Sequence, residues 1–218
     1  MKLPLTITAL LLCSLTAMAQ EYPSVEAFGG YSYLRADGET IDLNQFGAPG
    51  NARQKASNLN GFNLGVVLNP HPTVGIAIDF SGHYGSTEYT LTPPIFLPNP
   101  YLATGRFSTK TSFHTFLLGP QFHLRRGDNT LFVRPMLGFS HARERVKVTT
   151  TTPGLPGPSS ETSFAFSFGG GYDRRVSDRV AVRLFQADYL LTTFDQGFGA
   201  NSQSNFRFST GLTFGNYR

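Results

Sequence analysis

Six charged residues are the first candidates for chemistry in this chain. They lie in segments where polar or small residues alternate with apolar ones. They are Glu26, Asp79, Arg134, Glu144, Arg183 and Asp188. Alternation with a period of two places successive side chains on opposite faces of a β-strand, so these charges share the less apolar face. Because charges removed from water must be paired, we expect an interior charge network with a structural role. The alternative is that the same charges line a gated ion path.

Catalytic combinations of serine, histidine and acid are few. Ser140 and His141 are adjacent, but neighbours in a strand point to opposite faces and cannot share a hydrogen bond. Asp79 and His83 share a face, yet four residues of strand separate them by roughly 13 Å, whereas catalysis needs heavy atoms about 3 Å apart. The five histidines lack metal-ligand spacing. The sequence therefore predicts no enzyme activity, no metal and no cofactor, although partners on neighbouring strands stay open.

Residues 1–19 have the pattern of a secretory signal peptide. Lys2 supplies the positive charge, Leu3 to Leu15 form the apolar core, and Ala17-Met18-Ala19 is a small-x-small cleavage site. Cys13 lies inside the apolar core after Leu12, which is unsuited to lipidation. We therefore predict an exported chain whose residues 20–218 form a single domain, with no cysteine available for a disulfide.

Eight segments of this domain alternate as strands do, and convincing helical periodicity is found nowhere. They cover residues 24–34, 59–69, 73–90, 107–125, 130–149, 161–174, 179–192 and 204–215. Three connections are short and rich in turn-forming residues, at 69–72, 126–129 and 175–178. The other four are predicted to be long, at 36–58, 91–106, 150–160 and 193–203. Strict alternation of long and short connections sorts all long loops to one end of an up-and-down barrel.

The two faces of each strand differ in composition. Phenylalanine is frequent, with 20 residues, and so is glycine, with 23. In the strand 73–90, for example, Ile76, Ile78 and Phe80 point one way while Asp79 and His83 point the other. We expect the apolar faces to meet lipid and the charged, glycine-rich faces to fill a closed tube. A water-soluble barrel would have the reverse arrangement.

One strand departs from this alternation of odd and even positions. Arg183 is at an odd position, whereas Gln186 and Asp188 are at even positions. All three can point inward only if an extra residue is accommodated, which predicts a β-bulge near Leu184 or Phe185. The alternative is that Gln186 and Asp188 face lipid headgroups at the rim.

The net charge is +4, but the arginines are scattered and no basic run interleaved with aromatic residues is present. Nucleic acid is therefore not a predicted partner. Because the chain is exported, outer-membrane lipid and the phosphates of lipopolysaccharide are the expected partners for its exposed cations.

The chain resembles the small eight-stranded outer-membrane barrels of the OmpA and OmpX type, and the porin-like outer membrane protein β-barrel families. The resemblance rests on the runs Val25 to Tyr33, Gln186 to Leu190 and Phe206 to Phe214. It implies an all-β fold, an eight-stranded antiparallel up-and-down transmembrane β-barrel, located in the bacterial outer membrane. It also implies assembly by the outer-membrane insertion machinery, which reads an aromatic residue ending the last strand; here Gly215 to Arg218 follow Phe214.

These observations predict an integral outer-membrane protein with a structural or surface-interaction role and a lumen plugged by side chains. Its long loops are the expected sites of contact with extracellular ligands. Two alternatives stay open. One is a lipid-modifying outer-membrane enzyme, which would require Ser, His and acid side chains to converge on the outer wall. The other is a narrow ion channel.

Overall fold

The computed structural model describes residues 22–36, 40–42, 51–53, 57–91, 105–148, 159–196 and 199–217. The predicted signal peptide, most of the predicted loop 91–106 and most of the loop 150–160 lie outside the described residues. Among the described residues, no helix is long and apolar enough to cross a membrane, a statement that does not bear on strands.

The described chain consists of ten β-strands. They are β1 (Val25–Ala36), β2 (Thr40–Asp42), β3 (Asn51–Arg53), β4 (Ser57–His71), β5 (Val74–Leu91), β6 (Gly105–Arg126), β7 (Asn129–Val148), β8 (Ser159–Arg175), β9 (Val180–Gln196) and β10 (Gly199–Gly215). Eight of them correspond to the eight predicted segments, extended at most ends by a few residues. The short β2 and β3 form a separate two-stranded sheet within the segment predicted as the first long loop.

Eight strands close into a barrel in the order β1-β10-β9-β8-β7-β6-β5-β4, with every neighbouring pair antiparallel. Closure is made by β1 and β10, which pair from Glu26 with Gly215 to Ala36 with Asn205. A closed ladder leaves no unpaired strand edge, which is the condition for a sheet to span hydrocarbon. The predicted fold class is confirmed.

The outer wall of the barrel is apolar and its inner wall carries the charges. Phe116, Leu137 and Phe139 are between 52% and 61% exposed, whereas Arg134 and Asp188 are each 2% exposed. The predicted assignment of faces is therefore confirmed, because the barrel presents its large apolar side chains to the surroundings. The wall continues this way on all eight strands, with exposed Val25, Leu64, Ile76, Phe122, Leu131, Phe168, Leu184 and Phe206.

The inside is less uniformly polar than the sequence predicts. A buried apolar cluster occupies part of the lumen, formed by Leu34, Leu59, Val67, Ala77, Phe113, Leu117, Met136, Ala165 and Leu190. Inner positions must be filled at close packing in a barrel of this size, whatever the polarity of the side chain. Apolar residues on the inner face therefore fill space between the charged groups.

The predicted bulge is present at Leu184. In the pairing of β9 with β10, Gln186 faces Ser209 and Arg183 faces Gly211, so the register shifts between the two pairs. The pairing of β8 with β9 shifts at the same place. The extra residue allows Arg183 and Gln186 both to point inward, and Leu184 and Phe185 are consequently both exposed.

One connection differs from the prediction. Residues 193–203 were expected to form a long loop, but β9 continues to Gln196 and β10 begins at Gly199, and these two residues pair. Asp, Gly, Asn and Ser have low strand propensity, yet a hairpin whose ladder is already formed extends by adding one pair at a time. The strict alternation of long and short connections therefore fails at this end. The three short connections, at 72–73, 127–128 and 176–179, are as expected.

We predict that Gly30→Ala lowers the free energy of unfolding by about 1–3 kcal/mol, the usual cost of overpacking. A Cβ at Gly30 would lie 2.1 Å from the carbonyl oxygen of Thr210, across the seam that closes the barrel. The neighbouring Gly29→Ala is the matched control, because its Cβ would lie 3.6 Å from the nearest atom, on Leu64. Urea titration of the barrel in lipid vesicles, read by gel mobility without boiling, measures both. Equal stability of the two variants would contradict the prediction.

Candidate functional site

Two arginines and two aspartates form a charge network in the middle of the lumen. Arg207 on β10 donates from Nη1 to Asp79 Oδ1 at 2.7 Å, and from Nη2 to Asp188 Oδ2 at 2.8 Å. Arg134 on β7 donates from Nη2 to Asp79 Oδ2 at 2.8 Å and lies 3.4 Å from Asp188 Oδ2. The four formal charges cancel, so the network is neutral although all four side chains are buried. We call these four residues the central network.

The central network bridges opposite walls of the barrel. Asp79 is on β5 and Asp188 is on β9, and these strands are four positions apart in a ring of eight. Both guanidiniums contact both carboxylates, and the contacts of Arg207 are short with each of them. Further donors fix the carboxylates in place, since Asn63 Nδ2 donates to Asp79 at 2.8 Å and Gln186 Nε2 donates to Asp188 at 2.5 Å. The lumen is therefore crossed by bonded side chains at this level.

A second layer lies toward the short turns. Arg183 makes two bonds with Asp173, from Nε at 2.8 Å and from Nη2 at 2.9 Å. Its guanidinium carbon lies 4.1 Å from the ring centroid of Phe28 and 4.4 Å from that of Phe132. Phe28 on β1 and Phe132 on β7 come from opposite walls, so the cation is held between two rings. Gln186 joins the layers by accepting from Arg183 at 2.7 Å.

The end of the barrel that carries the short turns has its own ion pair and cover. Arg125 Nη2 lies 3.4 Å from Glu26 Oε1, and Arg125 also donates to the carbonyl of Pro72. Tyr217, just after β10, is 8% exposed, and its backbone nitrogen donates to the carbonyl of Asp178. Burial, with the nearby carboxylates of Glu26 and Asp173, raises the pKa of the Tyr217 phenol, so it stays protonated.

The structure places the six predicted residues in different parts of the barrel. Asp79, Arg134 and Asp188 come together in the central network. Arg183 lies in the second layer and Glu26 near the short turns, each with a partner that was not among the six. Glu144 is half-buried and lies ten residues further along β7 than Arg134, toward the opposite end, outside these clusters.

Three members of the ion pairs were missed by reasoning from sequence: Arg207, Asp173 and Arg125. Alternation along the strands could have found all three, since Arg125 continues the inward positions Gln121 and His123 of β6. Arg207 alternates with Phe206 and Phe208, and Asp173 continues the inward positions of β8. Their contacts could not be found in this way, because the pairing of Arg207 with Asp79 joins residues separated by 128 positions.

Several of the described imidazole groups contact hydroxyl groups, on both faces of the barrel wall. Ser140 is buried and the adjacent His141 is exposed, as expected for opposite faces. His83 Nε2 and Ser32 Oγ share a hydrogen bond 2.8 Å long inside the lumen, where both side chains have no exposed area. On the outer wall, His114 and His141 bond to hydroxyl groups, those of Tyr84 at 3.0 Å and Thr162 at 2.8 Å.

Within the described ranges, no three His, Cys, Asp or Glu residues are grouped so that they could hold a metal ion.

The family model described as the outer membrane protein beta-barrel domain matches residues 5–214. No sequence among curated proteins matches the chain.

Solved structures similar to the chain include three that each have a TM-score of 0.52 and each cover 88% of it. Ail, the attachment invasion locus protein of Yersinia pestis, is 14% identical over 98% of its length. Neisserial surface protein A is 10% identical over 97%, and OprG from Pseudomonas aeruginosa is 12% identical over 95%. At these identities the likeness concerns the fold. The match over nearly the whole chain, together with the closed eight-stranded barrel, shows that this protein belongs to the outer membrane protein β-barrel family of the bacterial outer membrane.

Proposed function

We propose that this protein is a non-conducting, non-catalytic barrel of the outer membrane, with a structural or surface-interaction role. The observation that carries the proposal is the pair of contacts from Arg207 to carboxylates on opposite walls of the lumen. A guanidinium that bridges Asp79 and Asp188 occupies the space through which an ion would pass. An eight-stranded barrel has an interior that is only wide enough for its side chains, so no second path is available beside the bridge.

The second layer supports the same conclusion. An ion that passed the central network would meet Arg183, which is held by Asp173 and lies between two phenyl rings. Displacing these groups would separate buried charges from their partners, which costs several kcal/mol per pair. Two such layers in series favour a sealed lumen over a gated ion path.

The outer wall supports the non-catalytic part of the proposal. Nucleophilic catalysis requires a serine, its histidine base and an orienting acid in contact. The described outer-wall histidines bond instead to the hydroxyls of Tyr84 and Thr162. A lipid-modifying enzyme stays the alternative function; it would be favoured by lipid hydrolysis or acyl transfer that is lost in a His114→Gln or His141→Gln variant.

Partners follow from this location. We propose that the apolar wall contacts outer-membrane lipid and lipopolysaccharide, that the insertion machinery assembles the barrel, and that extracellular ligands meet the connections opposite the short turns. Export would be directed by residues 1–19, and residues 20–218 would form the mature domain.

We predict that the purified barrel gives no conductance steps in planar bilayers. Breaking the network should open a path, because Arg134→Glu places three acids around Arg207 and repels them from one another. Current that appears in the Arg134→Glu variant only, with cation selectivity, is the expected result. Steady channels of the unmodified protein would overturn the sealed-lumen proposal.

We predict that Arg207→Gln lowers the free energy of unfolding by about 3–5 kcal/mol, because two buried carboxylates then share a single arginine. Adding Asp188→Asn to that variant should recover part of the loss, since the remaining charges, Arg134 and Asp79, again balance. Urea unfolding in lipid vesicles measures the series. Arg174→Gln is the control, because Arg174 is exposed on the outer wall at the short-turn end. A loss of similar size in the control would mean that the network does not stabilise the barrel.

A further inference from the structure

Among the residues of β6 and β7 whose side chains are described, three cations project outward beyond the apolar band. Lys110, Arg143 and Arg145 are exposed, and alternation along each strand places them on the same face as Phe116 and Phe139. They lie toward the end of the barrel opposite the short turns. Barrels of the outer membrane have short periplasmic turns, so this end faces outward from the cell. The three cations therefore lie at the level of the outer leaflet, and we call them the basic patch.

The basic patch places like charges side by side. Lys110 and Arg145 are register partners on neighbouring strands, and Arg143 is two residues away on the same face of β7. Residues directly opposite in an antiparallel pair have Cβ atoms about 4.5–5.5 Å apart, and like charges at that spacing are destabilising. An anion bound between the cations would remove the repulsion between them. Without a bound anion the repulsion remains.

Among the residues whose side chains are described, no acid on this part of the outer wall balances the patch. None of the salt bridges formed by the described residues includes Lys110, Arg143 or Arg145. The nearby Glu144 and Glu161 are half-buried and alternate onto the inner face. Glu88 on β5 is the register partner of Ser108, two residues from Lys110. One acid against three cations still leaves the patch positive, so an anion from outside the chain is expected to neutralise the remainder.

The rows beneath the basic patch change in polarity step by step. His114 and His141 are register partners one row below Arg143, and Phe116 and Phe139 are partners in the next row. Phe139 makes an edge contact with Phe164, with ring centroids 6.4 Å apart. From the outside inward the wall thus presents cations, then imidazoles, then phenyl rings. This order matches an amphiphile that has phosphates above, a sugar at the middle and acyl chains below.

We infer that the basic patch binds the phosphate groups of one phosphorylated, acylated sugar of the outer leaflet, a molecule of the lipid A class. Two arginines and a lysine provide several charge-assisted hydrogen bonds to phosphate oxygens. The acyl chains lie along Phe116, Phe139 and Phe164, and the sugar lies at the level of the histidines. The inference rests on the proposed function, in that it names the partner and the site of the surface-interaction role.

The test measures binding of diphosphoryl lipid A to the whole folded protein in neutral detergent micelles, by titration calorimetry. In the variant Lys110→Gln, Arg143→Gln, Arg145→Gln we expect the dissociation constant to rise about tenfold or more, since each cation near a charged lipid surface contributes to affinity. The charge-matched control is Arg126→Gln, Arg174→Gln, Arg179→Gln. These three exposed cations lie at the short-turn end, and their loss should leave binding within about twofold. Gel mobility before and after boiling verifies that both variants fold.

Other ligands identify the source of the phosphate. Dephosphorylated lipid A, phosphatidylglycerol and inorganic phosphate should each bind at least tenfold more weakly than diphosphoryl lipid A, because they lack the paired phosphates, the sugar or the chains. A Lys110→Arg, Arg143→Lys, Arg145→Lys variant should keep most of the affinity. Three results would each overturn the inference. They are an equal loss of affinity in the patch variant and the control variant, unchanged affinity in the patch variant, and preferential binding of a polysulfated sugar. None of these results bears on conductance, so the sealed lumen is judged separately.

Discussion

Arg207 contacts Asp79 and Asp188 from opposite sides of the lumen, and the rest of the barrel depends on this bridge between walls. A sheet closed in hydrocarbon holds its ladder hydrogen bonds around its circumference, but nothing in the ladder joins one wall to the other. Bonds across the lumen supply that connection. Because the central network contains two cations and two anions, it buries charge without leaving any of it uncompensated.

The same need for compensation explains the second layer. Arg183 would be costly in a closed lumen unless its charge and its flat surfaces were both satisfied. Asp173 meets the charge along the edge of the guanidinium, and Phe28 and Phe132 cover its faces. This arrangement needs the bulge at Leu184, because without the extra residue Arg183 and Gln186 could not both point inward. The bulge thus has a packing role, and it leaves the consecutive residues Leu184 and Phe185 both exposed.

The outer wall obeys the opposite rule. Hydrocarbon accepts Phe, Leu and Ile and offers no partner to a charge, so cations are found at the ends of the apolar band. At the end with short turns, Arg175 pairs with Asp128 at 2.6 Å. At the other end, Lys110 lies directly across from Arg145, so two like charges are neighbours there.

Most of the predicted fold followed from the period-two alternation of the strands. The direction in which each side chain faces followed from alternation, since the period of a strand is fixed by its backbone. The bulge followed from the odd position of Arg183 and the even position of Gln186, which cannot both face inward in a regular strand. The extended hairpin at 193–203 did not follow, because whether weak strand formers join a ladder depends on the partner strand beside them. The apolar cluster inside the lumen was also missed, because a pattern of faces does not say how the space within a closed tube is filled.

The sequence by itself determined which residues face lipid and which face inward, because these depend on neighbours along one strand. Only the tertiary structure decided which inward charges meet. Asp79 forms ion pairs with Arg134 and Arg207. Arg183 pairs with Asp173, and Glu26 pairs with Arg125. Those choices depend on strand order, register and the width of the closed barrel. These are properties of the whole ring that no single strand contains.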